Sequence, residues 1–121
     1  MALTIRPRPK RQVALLIETS IAYGRGLLHG IVRFAREHET WATCLGEYRG
    51  GLMLPDELSD GKCDGVIARI ESPKLARILA PMKLPIVDVS KFRLLPHLPF
   101  VDADDDAIAR LAFSHFTERG F

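Results

Sequence analysis

Four charged residues fall at points in this sequence where a polar group has work available to it. Glu18 follows the apolar run Val13-Ala14-Leu15-Leu16-Ile17, Arg69 ends the run Val66-Ile67-Ala68, and Asp104 and Asp105 open a segment of helical apolar spacing. Carboxylates accept and a guanidinium donates paired hydrogen bonds, which is the chemistry that binds neutral polyols, and Tyr23, Phe92 and Trp41 can add apolar faces. A sugar-like ligand follows from that set. Each acid also has a plainer role, because Asp104, Asp105 and Asp106 suit the positive start of a helix as caps. Arg69 is harder to dismiss, since a guanidinium at the end of an apolar strand requires an acidic partner or a ligand.

Sharper chemistries fail on spacing. Gly24-Arg25-Gly26 with Gly30 imitates a dinucleotide fingerprint, but its first glycine lies several residues beyond the apolar run and cannot close a tight turn there. The acid cluster from Asp102 has Ala107 where a calcium loop needs glycine and Phe113 where it needs glutamate. His29, His38, His97 and His115 show no metal-ligand spacing, and His115, on an apolar helical stripe, reads as a core histidine. A phospho-acceptor module would place an aspartate where Arg69 and Ile70 stand. There is no serine elbow and no Cys/His pair at one strand end, so the reading contains no catalytic residue, no metal and no cofactor, and the chain is expected not to be an enzyme. The two cysteines, Cys44 and Cys63, lack CxxC spacing and read as reduced apolar filler.

The elements that must position these residues alternate in hydrophobic period. The first strand covers 13–17; a helix capped by Thr19 or Ser20 runs to about His38 with Leu27, Leu28, Ile31, Val32 and Ala35 on its apolar side. A second strand covers 42–47 and breaks at Gly50-Gly51, followed by a short helix over 55–59. A third strand spans 64–70, then Ser72-Pro73 caps and starts a helix that Pro81 stops, then a fourth strand spans 85–90 and a short fifth 100–102. The last helix shows Ile108, Leu111, Ala112, His115 and Phe116 on one stripe, expected to face inward, and ends at Gly120. Strand and helix in alternation imply an α/β fold, a parallel sheet with helices on both faces and right-handed crossovers. Ligands bind such sheets beyond the carboxyl ends of the strands, which directs attention to the loops at 18–25, 49–51, 69–72, 90–93 and 102–105.

The 121 residues, 47% hydrophobic and 26% charged, suit one domain with a real core and exclude collagen-like or wholly disordered chains. The 17 Lys and Arg stand against 15 Asp and Glu, and residues 1–12 hold Arg6, Arg8, Lys10 and Arg11 without an acid, so a basic flexible tail precedes a domain over 13–121. Pro7 and Pro9 prevent that tail from forming a helix that reads DNA bases. The longest apolar run, Val13 to Ile17, is far short of the roughly 20 residues that span a bilayer, and the charged start offers no secretory signal, so no membrane partner and a cytoplasmic location are expected.

The ordered set of Val13-Ala-Leu-Leu-Ile, Ala22-Tyr23, Gly30-Ile31, Asp64-Gly65-Val66-Ile67-Ala68, Pro85-Ile86-Val87, Asp104-Asp105, Ala112-Phe113-Ser114-His115-Phe116 and Gly120 resembles the LacI-type regulators, whose effector domain has the periplasmic sugar-binding-protein (type I) fold. Within them it is most similar to the xylose-responsive, AraC-class branch, because no helix-turn-helix precedes the first strand. The resemblance runs from about Gln12 to the end and covers an incomplete first lobe. It implies a sugar-responsive transcription regulator that binds a pentose, xylose first, between two lobes, forms a homodimer in full-length relatives, and reads DNA only through a domain absent from this chain. Carried over by position, Glu18, Tyr23, Arg25, Arg69, Glu71, Asp104 and Asp105 would face the sugar. The family pattern has Asp-Asn where Asp104-Asp105 stand, which keeps an acceptor and loses an amide donor. The rival class on the same strand-end rim is a small flavodoxin-like cofactor-binding domain or enzyme.

Overall fold

A computed structural model of the chain describes residues 10–39, 41–48 and 51–120. The expected basic tail lies mostly outside these residues, as do Arg49 and Gly50 of the second strand-end loop. The elements are β1 (Arg11–Leu16), α1 (Ala22–His38), β2 (Trp41–Leu45), β3 (Glu47–Tyr48), β4 (Leu52–Met53), α2 (Asp56–Ser59), β5 (Gly65–Ala68), α3 (Pro73–Leu79), β6 (Ile86–Asp88) and α4 (Asp105–Glu118).

Four strands form one parallel sheet in the order β2-β1-β5-β6, and β3 and β4 make a separate antiparallel hairpin. The sheet's residues divide by alternation. Ala14, Leu16, Val66, Ala68 and Ile86 point to one side, where Leu58 of α2 and Leu75, Ala76 and Leu79 of α3 complete the core. Val13, Ile67 and Val87 point to the other, toward Leu27, Ile31 and Phe34 of α1. Leu16 and Leu79 are wholly buried, each contributing about 2 kcal/mol of apolar transfer. The alternation expected from the sequence is therefore present, with helices on both faces.

Several boundaries move. β1 begins at Arg11, inside the segment read as tail, because Arg11 and Gln12 pair with Trp41 and Ala42. The α1 helix starts after Ile21, which makes no side-chain cap, and Ser20 instead donates to Glu18. The second strand stops at Leu45 because Gly46 turns the chain out of the sheet; its N–H donates to Leu15 O, and a Cβ there would sit 3.1 to 3.2 Å from Leu16, Leu52 and Met53. The fifth strand shrinks to one parallel bridge between Asp88 and Phe100. Ser72 and Pro73 behave as read, the hydroxyl accepting from Leu75 N–H.

The largest difference concerns α4. Asp104 caps it through Ala107 N–H, as expected of the acid cluster, but the stripe expected to face inward does not reach the sheet: Leu111 is 72% exposed and no residue of α4 is buried. His115, read as a core histidine, is exposed as well. An open apolar groove of about 550 Å³ correspondingly lies beside α1, lined by Val13, Ile67, Val87, Val89 and Val101. Periodicity identifies which side of a helix is apolar; it carries no information about what covers that side.

Cys63 is buried in the core beside Cys44. Burial first, and then the hydrogen bond with Cys44, pushes its thiol from 9.0 up to about 12. The unfolded thiol thus ionises before the folded one, so the native state holds a proton that the unfolded state has released, and stability falls as pH rises from 9.0 toward about 12. The urea midpoint of the native sequence is expected to drop over this range by more than that of Cys63→Ala, and parallel pH profiles for the two would contradict the assignment.

Candidate functional site

The loops that leave the carboxyl ends of the parallel strands form the rim where the candidate residues gather. β1 ends at Leu16, buried Ile17 follows, and the chain emerges at Glu18, whose carboxylate accepts from Ser20 Oγ at 2.7 Å. The first turn of α1 then presses on this loop. A Cβ at Gly24 would lie 1.9 Å from Glu18 O, so only glycine permits the approach. That approach places Tyr23, one residue earlier, over the rim.

Arg69 continues the ladder beyond β5 by donating its N–H to Leu16 O at 3.0 Å. Its guanidinium stacks on Tyr23, with Cζ 4.8 Å from the ring centroid, and its Nε lies 2.8 Å from Glu71 Oε1. The Nε contact is an ion pair rather than an in-line hydrogen bond. Of the acidic partner or ligand that the sequence calls for at Arg69, the acid is Glu71, and an aromatic face joins them. The side chain of Arg69 is 18% exposed and that of Glu71 37%, which leaves the pair accessible at its outer edge.

A buried network beneath the rim holds the third and fourth strand-end loops together. Asp88, the last residue of β6, accepts through Oδ1 from Ser90 N–H at 2.8 Å and from Ile70 N–H at 3.4 Å, while Ser90 Oγ donates to Ile70 O at 3.0 Å. Asp88 and Ser90 are each 1% exposed. The next residue, Lys91, extends Nζ to Asp105 Oδ2 at 2.5 Å. That bond, ahead of the charges of Asp105, Asp102 and Tyr23, holds the Lys91 ammonium above the ordinary lysine value, against a smaller desolvation effect.

The candidate residues divide accordingly. Tyr23, Arg69 and Glu71 form one contact group, and Asp105 forms a second with Lys91. Glu18 lies at the end of the neighbouring strand and is engaged by Ser20. Arg25 points Nη1 at Thr19 O, 2.9 Å away, and so braces its own loop. Asp104 is occupied with the α4 cap. Trp41 does not belong with them: it opens β2, pairs with Arg11 at the amino ends of the strands and packs on Phe34. Phe92 is 61% exposed beside Lys91. Among the described residues no group of three or more His, Cys, Asp or Glu could hold a metal ion.

A family model described as the XylR N-terminal domain matches residues 12–106. The chain belongs to that family. The xylose operon regulatory protein of Haemophilus influenzae is 25% identical over 113 residues, covering 90% of this chain and 29% of the relative. A solved structure of the xylose-binding transcription activator XylR superposes with a TM-score of 0.69 at 24% identity, covering 93% of this chain and 28% of that one. The XylR-domain chain thus spans less than a third of either relative's length, and it has the α/β arrangement of the first lobe of a periplasmic-binding-protein-like fold, in part.

Asp88, Ser90 and Lys91 are the positions that reading by motif passed over in this XylR domain. The loop at 90–93 was among the strand-end loops, but nothing local distinguishes a buried Asp88 in the run Pro85-Ile86-Val87-Asp88-Val89-Ser90 from a polar residue at a strand end. Only the register of β6 against β5, with Ala68 opposite Asp88, carries that carboxylate to Ile70.

Proposed function

We propose that this chain supplies one wall of the effector cleft of a sugar-responsive transcription regulator, with a pentose, xylose first, as its ligand. The observation that carries this reading is the clustering of Tyr23, Arg69 and Glu71 at the carboxyl edge of the parallel sheet, where the loop after β6 also carries the Lys91–Asp105 pair. An aromatic face flanked by a guanidinium and carboxylates suits a ring that presents apolar C–H groups on one side and hydroxyls around its edge. Glu18, Arg25 and Asp104 complete the rim, Arg25 by bracing the loop and Asp104 by fixing the α4 start. The family match and the relatives named for xylose support the choice of sugar.

On this reading the chain binds and does no catalysis, DNA is read by a separate domain of the longer protein, and that protein is a cytoplasmic homodimer. No helix among the described residues is long and apolar enough to cross a membrane. One wall encloses only part of a ligand that must be mostly buried, so the 121-residue chain alone binds D-xylose weakly or not at all.

Calorimetry tests the proposal. A protein carrying this chain together with a second lobe is expected to release heat with D-xylose, and Arg69→Ala to weaken binding by roughly 10- to 100-fold, the loss of a charged hydrogen-bonding group. No heat with any pentose would overturn the reading, and a micromolar dissociation constant for the chain alone would overturn the half-cleft argument.

A further inference from the structure

Two cysteines that are far apart in sequence meet in the fold. Cys44 stands in edge strand β2 opposite Ala14, and Cys63 lies at the foot of β5, where Asp64 N–H donates to Gln12 O at 2.7 Å. β1 runs between them and brings both to the side of the sheet covered by α2 and α3, with Sγ atoms 3.6 Å apart and both thiols free. A disulfide requires about 2.0 Å between sulfurs. Cys44 is fixed in the β1–β2 ladder, whereas Cys63 precedes β5 and lies outside any strand, so closing the remaining gap takes side-chain rotation together with a shift of the segment that enters β5.

We propose that Cys44 and Cys63 are an oxidative modification site, forming a reversible intramolecular disulfide that ties edge strand β2 to the segment entering β5. The two sulfurs have different access. Cys63 is 4% exposed, whereas Cys44 is half-buried at the sheet edge, so an oxidant reaches Cys44 first. With hydrogen peroxide as oxidant, the Cys44 sulfur attacks the O–O bond, which breaks to give a sulfenic acid and water. The Cys63 sulfur then displaces the sulfenic hydroxyl, the S–S bond forms, and its thiol proton leaves with that hydroxyl as a second water. Both thiols are oxidised and the peroxide is reduced. Burial and the hydrogen bond with Cys44 push the Cys63 thiol up to about 12, which makes it a poor first target, and its attack on the sulfenic acid quickens as alkaline pH raises its thiolate fraction.

The cross-link would close a loop containing the β3–β4 hairpin and α2, and it would restrict the unfolded chain more than the folded one. The edge of the sheet and the turn at Gly46 would be held by a covalent bond instead of a single ladder.

The test treats the reduced full chain with hydrogen peroxide under native conditions, followed by intact mass, tryptic mapping and thermal melting. Expected is the loss of two hydrogens without added oxygen, a peptide carrying Cys44 joined to one carrying Cys63, reversal by dithiothreitol, and a thermal midpoint several degrees higher in the oxidised form. Cys63→Ser should leave Cys44 as a sulfenic acid that dimedone traps, and Cys44→Ser should leave Cys63 unmodified. Stable oxygen addition at Cys44 in the native sequence, two thiols that remain alkylatable, links between chains, or a lowered thermal midpoint would each overturn the proposal.

Discussion

Gly24→Ala destabilises the domain by about 3 kcal/mol, at the upper end of what overpacking costs, whereas Gly26→Ala, two residues along the same helix, stabilises it by roughly 0.5 to 1 kcal/mol. Both substitutions improve helix propensity. They differ in what the new methyl group meets. At Gly24 it would lie 1.9 Å from Glu18 O, a backbone atom at the exit of β1 that cannot rotate away, and close to Ile17 as well. At Gly26 nothing lies within 4 Å. To accept the methyl group, α1 must lift off the β1 exit, which also displaces Tyr23 from Arg69. Urea denaturation of the two variants measures the difference, and equal stability for Gly24→Ala and the native chain would show that the close approach is dispensable.

Asp88→Ala is expected to cost about 3 kcal/mol, since it strands two buried N–H groups at roughly 1 to 3 kcal/mol each. Those groups are Ser90 N–H and Ile70 N–H, which share Oδ1 of a side chain that is 1% exposed. Asp88→Asn should stay within about 1 kcal/mol of the native chain, because it keeps a carbonyl at the accepting position and removes a buried charge. The other oxygen, Oδ2, has no hydrogen-bond partner among the described residues, so an amide nitrogen in its place breaks no existing bond. The prediction is therefore an order, with native and Asn close together and Ala well below. Amide exchange at Ile70 and Ser90 provides the local reading: protection should be lost in the Ala variant and kept in the Asn variant. A neutral Asp88→Ala would mean that the rim loops are held by something else.

These two positions also mark how far the chain could be read before its fold was known. The run Val13-Ala14-Leu15-Leu16-Ile17 announced a strand buried on both sides, and four of its residues are 1% exposed or less. Ser72 before Pro73, and Asp104 before Asp105, announced helix starts, and both side chains accept from the N–H three residues on. Arg69 at the end of an apolar strand calls for an acid or a ligand, and Glu71, two residues away, pairs with it. In each case the partner lies within a turn of helix or a step of strand, so the order of residue types encodes the interaction directly.

What the order of types left open were meetings between distant segments. Cys44 and Cys63 look like isolated filler, yet Cys44 in β2 and Cys63 just before β5 flank β1 with their sulfurs 3.6 Å apart. Trp41 looked available to the rim, but the same register sets it opposite Arg11 at the far end of the sheet. Lys91 was one exposed lysine among several until the Asp88 network turned its loop toward Asp105. The apolar stripe of α4 promises a packed helix, yet no residue of α4 is buried. Composition and local spacing alone determined that this is an α/β chain with polar residues at its strand ends. Which of those residues touch was decided by strand order and register, because hydrophobic period is a property of each segment by itself and stays the same whichever neighbour the segment pairs with.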